Sequence, residues 1–164
     1  MVTLQVAGER IAWVLLSYRL PREPSSPRIT LWRKLKRLGV VQLLDGLVAL
    51  PLDSRNREAL EWLADEVVET GGEAMIWISA VGSAAQEREL ARQMADVVSA
   101  DYRRLIADAH SAGGLAAGQR RRTLGRLRRE LRRIRSRDYF PPPEREHAQQ
   151  AVEALATLVS EAAA

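Results

Sequence analysis

Between Arg120 and Arg137 the chain reads RRRTLGRLRRELRRIRSR, ten arginines against one glutamate. Guanidinium groups crowded in this way repel one another unless an anion relieves them. Their planar forks suit phosphate and carboxylate oxygens. A duplex carries one negative charge per ~1.7 Å of axis, and each arginine set against a phosphate releases condensed counterions, so six contacts would give a log–log salt slope of roughly −5. Arg120, Arg121, Arg122, Arg126, Arg128, Arg129, Arg132 and Arg133 are therefore candidate nucleic-acid contacts. An alternative is neutralisation by carboxylates. The segment holds a net +9 in a chain of formal charge +4, which leaves −5 on the remainder. Those carboxylates could belong to this chain or to an acidic protein partner, and a membrane surface is a further alternative, but the single-sign crowding favours nucleic acid.

A second cationic cluster lies nearer the start, in the loop PREPSSPR. Ser26 followed by Pro27 marks a helix start, with a hydroxyl at the N-cap and proline at the first helical position. Free N–H groups and the positive end of the helix dipole attract anions there. Arg22, Ser25, Ser26 and Arg28 are thus candidates for holding phosphate or a tetrahedral oxyanion such as chromate or sulfate. Ordinary capping by Ser26 is the plainer alternative. Arg33, Lys34 and Arg37, with Lys36 beside them, extend the cationic surface along the helix and complete the candidate nucleic-acid contacts. A solvated helix face would also account for them.

Other chemistries find little support. The chain has no cysteine, which removes disulfides, thiolate catalysis and Cys-based zinc sites. His110 and His147 lack neighbours at ligand spacing, and no Ser/His/Asp set, Gly-rich phosphate loop or HExxH motif is present. A non-enzymatic protein without cofactor or metal is expected. Trp13, Trp32, Trp62 and Trp77 fall in separate elements and read as core and interface anchors rather than base-stacking platforms. The opening MVTLQVAGER has no apolar core of a signal peptide, and no apolar run reaches membrane-span length, so a cytoplasmic protein without membrane partners is expected.

Patterning supplies the elements that must position these groups. Residues 12–20 (AWVLLSYRL) read as a buried strand that stops at Pro21. The helix from Ser26 carries Leu31, Leu35 and Leu38 on one stripe and ends at Gly39. Residues 40–44 and 47–51 flank Asp45-Gly46, a hairpin signal for a type I′ turn. Asp53 or Ser54 caps a second helix with Leu60, Leu63, Ala64 and Val67 on its stripe, closed by Gly71-Gly72. Residues 73–81 (EAMIWISAV) are the fourth strand. The order β-α-β-β-α-β gives an α+β, ferredoxin-like domain over residues 1–82. One sheet face needs cover from a second copy, from the later helices or from both.

Residues 83–164 read as a helical appendage of three helices. The first is marked by Leu90, Met94, Val97, Leu105 and Ile106. The arginine-rich helix has a Leu124, Leu127, Leu131, Ile134 seam. The last follows DYFPPP with Ala148, Val152, Leu155 and Val159 on one face.

The wording SYRLPREPSSPR, LWRKLKRLG and VQLLDGLVALP, followed by GRLRRELRRIRSRDYFPPP, resembles the N-terminal region of ChrB-type chromate-resistance regulators. The strand–loop–basic-helix opening is also similar to the middle domain of phenylacetate-type repressors, which shares the ferredoxin-like fold of small CRISPR-associated nucleases. Those nucleases place an acidic metal ligand near the end of the first strand. Ser17, Tyr18 and Arg19 stand there in this chain, and an arginine cannot ligate a divalent cation. The resemblance implies a bacterial regulator whose DNA partner is the operator of a chromate-efflux operon. Its sensing is usually credited to a further C-terminal domain beyond a chain of this length. A homodimer suited to a palindromic operator is expected. A non-enzymatic adaptor for an acidic protein and an oxyanion-binding module are the alternatives.

Overall fold

The computed structural model describes residues 10–163. Nine elements follow one another: β1 (Trp13–Arg19), α1 (Ser26–Leu38), β2 (Val41–Leu44), β3 (Leu47–Pro51), α2 (Ser54–Glu69), β4 (Glu73–Ser79), α3 (Ala84–Ala112), α4 (Ala117–Ser136) and α5 (Glu144–Glu161). The chain divides into two compact units, and the division falls inside α3 after Ala91.

The first unit is the expected α+β arrangement. Its four strands are antiparallel in the order β2-β3-β1-β4, which is the ferredoxin-like order. Register explains the core. Val14 pairs with Leu50 and Ile78, and Leu16 with Val48 and Ile76, so these side chains share one face. Val14, Leu16, Val48 and Leu50 are fully enclosed, together with Leu35 of α1 and Leu60 of α2. The opposite face carries Trp13 and Ala49, both buried, and also Met75 and Trp77, which are 55 % and 49 % exposed. Trp77 Nε1 donates to Ser17 Oγ at 2.9 Å across the β1–β4 pair.

Local signals hold with two adjustments. Asp53 caps α2, its carboxylate accepting from Asn56 N at 2.7 Å, and Gly39 closes α1 at φ 79°. At the start of α1, however, Ser25 rather than Ser26 stands at the N-cap, and no side chain makes a capping hydrogen bond. The β2–β3 turn is not type I′, which needs positive φ at both central residues. Of the two, only Gly46 has it, at φ 74°, and among the described residues no non-glycine residue does. Asp45 stays outside the left-handed region. The register instead shifts between Gln42 and Leu44, so the extra twist is taken up within β2.

The second unit is a three-helix bundle built from the later part of α3, α4 and α5. Its core joins Val98, Tyr102, Leu105 and Ala109 to Leu124, Leu127, Leu131 and Ile134 and to Ala148, Val152 and Leu155. The α4 seam is the one its spacing predicts. On α3 the buried stripe runs Met94, Val98, Tyr102, Leu105, Ala109, while Val97 is 62 % exposed. The tyrosine was hidden among polar letters, and its ring continues the 3.6-residue period that Val97 breaks. Among the described residues no helix is long and apolar enough to cross a membrane.

Candidate nucleic-acid interface and anion cleft

Burial of the α4 seam decides where its arginines go. Arg121, Arg128, Arg132 and Arg135 recur at spacings of seven, four and three residues and flank the seam on one side. Arg122, Arg126, Arg129 and Arg133 recur at four, three and four and form a second row. All eight are exposed. Their partners differ. Arg126 bonds to Asp108 of α3 at 3.0 Å and to Glu130 at 3.2 Å. Arg120 lies toward the bundle and donates to the carbonyls of Leu115 and Leu158. Arg137, just past the helix, pairs with Asp101 at 2.8 Å. Arg121, Arg122, Arg128, Arg129, Arg132, Arg133 and Arg135 form no ion pair with a described residue.

The helix ends sharpen the charge imbalance. The N-cap of α4 is Ala116, which offers no side-chain cap, and the first turn holds no acidic residue. Arg120 closes that first turn, at the positive end of the helix dipole, where cations are unfavourable. Like charges four apart, Arg128 with Arg132 and Arg129 with Arg133, each destabilise the helix by about 0.2–0.5 kcal/mol. Burial of the seam offsets these costs. The surface so made is a two-row cationic strip along a 20-residue helix, ~30 Å long.

A groove of 420 Å³ runs beside one row. Its walls are Arg128, Arg132 and Arg135 of α4 facing Gln149 and Glu153 of α5, over an apolar floor of Leu131, Val152 and Ala156.

In the first unit the predicted residues separate. Lys34 turns to α2 and holds both oxygens of Glu66 at 2.7 and 2.8 Å, so it is engaged within the fold. Ser26 is absent from the cleft that Ser25 lines and instead borders a separate cavity with Pro27, Thr30, Glu66 and Thr70. Arg37 is exposed in the last turn of α1. Arg22, Ser25, Arg28 and Arg33 line one open cleft of 900 Å³. Tyr18, Arg19, Trp32, Lys36, Gln42 and Asp45 join them, from the end of β1, the length of α1 and the β2–β3 turn. Arg19 pairs with Glu73 on β4. Lys36 Nζ lies 5.9 Å from the centroid of the Trp32 ring. Burial, and then the Asp45 carboxylate, push the Tyr18 phenol above its ordinary pKa, while Arg28 acts in the opposite direction.

Sequence patterning alone does not assign Tyr18, Trp32 and Lys36 to this site. The i, i+4, i+8 spacing of Arg28, Trp32 and Lys36 was a readable signal for one shared helix face. The approach of Tyr18 and Asp45 depends on strand pairing. Of the four tryptophans, Trp13 is core as expected, Trp62 is 65 % exposed on α2, and Trp32 lines the cleft.

Comparison with known proteins adds a family. Residues 28–113 match the family described as "Protein ChrB, N-terminal". Protein ChrB of Cupriavidus metallidurans is 30 % identical over 134 residues, covering 79 % of this chain and 41 % of that protein. The chain therefore spans less than half the length of this relative. No solved structure matches.

Proposed function

The chain belongs to the ChrB N-terminal family, and on that footing we propose that it is a DNA-binding transcriptional regulatory module of chromate resistance that meets duplex phosphates through α4. The observation that carries this reading is the set of seven α4 arginines that form no ion pair with a described carboxylate. A fold that wanted these charges for its own cohesion would pair them, as it pairs Arg126 and Arg137. Left unpaired, they repel each other in the free chain and gain most from an external polyanion. The rows flank one helix, so phosphates on either side of a groove can be met by separate rows. These contacts fix position and carry no sequence information. The reading is non-enzymatic and places the protein in the cytoplasm with its DNA.

The test is fluorescence anisotropy with a labelled duplex at low salt. Replacing Arg128, Arg129, Arg132 and Arg133 together with alanine is expected to weaken binding by roughly a hundredfold or more, since each lost phosphate contact contributes a fraction of a decade at least. Unchanged affinity would remove α4 from the interface.

A second reading rests on the groove between α4 and α5. An apolar floor under three arginines suits an amphipathic acidic helix, so the same surface could grip an acidic protein. A partner that stays bound when Arg128, Arg129, Arg132 and Arg133 are reversed to glutamate would dismiss that reading.

We also propose a homodimer. The apolar pair Met75 and Trp77 on the outer sheet face supports it, because a second copy laid there would cover both.

A further inference from the structure

Four cations of the first-unit cleft, Arg22, Arg28, Arg33 and Lys36, form no ion pair with a described residue. Their neighbours show that the fold could have paired them: Arg19 is taken by Glu73 and Lys34 by Glu66. Asp45 is the one carboxylate among the cleft residues. The α1 start at the cleft has no side-chain cap, although Ser25 stands at the N-cap position and lines the cleft. An anion is therefore called for twice, by unpaired side chains and by uncapped N–H groups.

Size and spacing narrow the anion. A lone tetrahedral oxyanion fills only a few water volumes of ~30 Å³, against a cleft of 900 Å³. It would also leave the indole of Trp32 and the far end of the cleft unused. Along α1, Arg28, Trp32 and Lys36 stand at successive steps of four residues, ~6 Å each. A cation, an aromatic ring and a second cation are thus ranked at the separation of a phosphate from the base it carries. Lys36 lies over Trp32 at 5.9 Å from the ring centroid, a weak contact at an exposed site that a planar base can displace. Tyr18 of β1 and Gln42 of β2 add a phenol and an amide to the cleft lining.

We propose that this cleft is a nucleotide-binding site, taking phosphate on Arg22, Arg28 and the open start of α1 and a planar base against Trp32. The assignment is independent of the reading of α4. The ligand is either a free nucleotide or a terminal nucleotide of a single strand.

Isothermal titration calorimetry of the full chain tests it, with ADP, inorganic phosphate and a 5′-phosphorylated single-stranded trinucleotide as probes. ADP is expected to bind at least about tenfold more tightly than inorganic phosphate. Arg28→Glu should abolish both heats. Trp32→Leu should weaken ADP to about the affinity of phosphate and leave phosphate itself unchanged. The exposed Arg28 makes its variant a safe second probe should Trp32→Leu fold poorly. Replacing Arg128 and Arg132 with alanine should leave ADP binding intact even where it weakens duplex binding, which separates this site from α4. A trinucleotide tighter than ADP makes a nucleic-acid strand the source, and the reverse makes it a free nucleotide. No heat with either nucleotide, ADP no tighter than phosphate, or indifference to Arg28→Glu would overturn the assignment.

Discussion

Tyr102 is enclosed in the helical unit, and its hydroxyl donates to Asp138 Oδ2 at 2.8 Å. Burial first, and then the hydrogen bond and charge of Asp138, push the phenol well above its ordinary value of 10.0. Since the folded chain holds this proton more tightly than the unfolded one, the stabilisation is complete below pH 10 and is lost as pH rises beyond it. Tyr102→Phe should cost about 1–2 kcal/mol at neutral pH. It should also flatten the alkaline loss relative to the parent, as read from urea midpoints at pH 8 and above 10. Gly46 makes a second residue-scale case. A Cβ there would meet the Tyr18 carbonyl oxygen at 2.4 Å, at a φ of 74° that side chains disfavour. Gly46→Ala should lower stability by about 1 kcal/mol or more and disturb the backbone bond from Tyr18 N to Gly46 O. A urea midpoint equal to the parent's would show that the turn relaxes freely.

At the scale of the element, α4 combines a tightly buried seam with a repulsive outer surface. Leu127 is fully enclosed, so Leu127→Ala should cost about 2–5 kcal/mol through transfer and cavity terms. The arginine rows should behave in the opposite way. Arg129→Ala with Arg133→Ala removes an i, i+4 repulsion, so thermal stability should hold or rise by a few tenths of a kcal/mol. Duplex affinity should fall in the same variant. Loss of both together would mean that the arginines serve the fold. This helix was also the most legible element. Its seam follows from spacing alone, because four aliphatic side chains stand out in a run of charges. The fate of each arginine was less legible, since Asp108 and Asp101 reach Arg126 and Arg137 from another helix.

For the molecule as a whole, the element order and the antiparallel sheet could be read from turn and cap signals: Ser-Pro, Asp-Gly, Asp53 and Gly39 are local. What escaped the sequence is set by distant pairing. Lys34 finds Glu66 across 32 positions, and the cleft gathers Tyr18, Arg28 and Asp45 only once β1, α1 and the β2–β3 turn are assembled. The exposed Trp77 and Met75 became visible only when the strand faces were assigned. Sedimentation equilibrium checks their role: the parent should run at twice the mass of one chain and Trp77→Glu as a single chain, whereas a monomeric parent would refute the dimer. The deciding experiment for the regulator reading is a titration of duplex DNA at several salt concentrations between about 50 and 200 mM. If six of the seven unpaired arginines meet phosphates, log K should fall with log salt at a slope of roughly −5. A flat dependence, or no binding at the lowest salt, would contradict it.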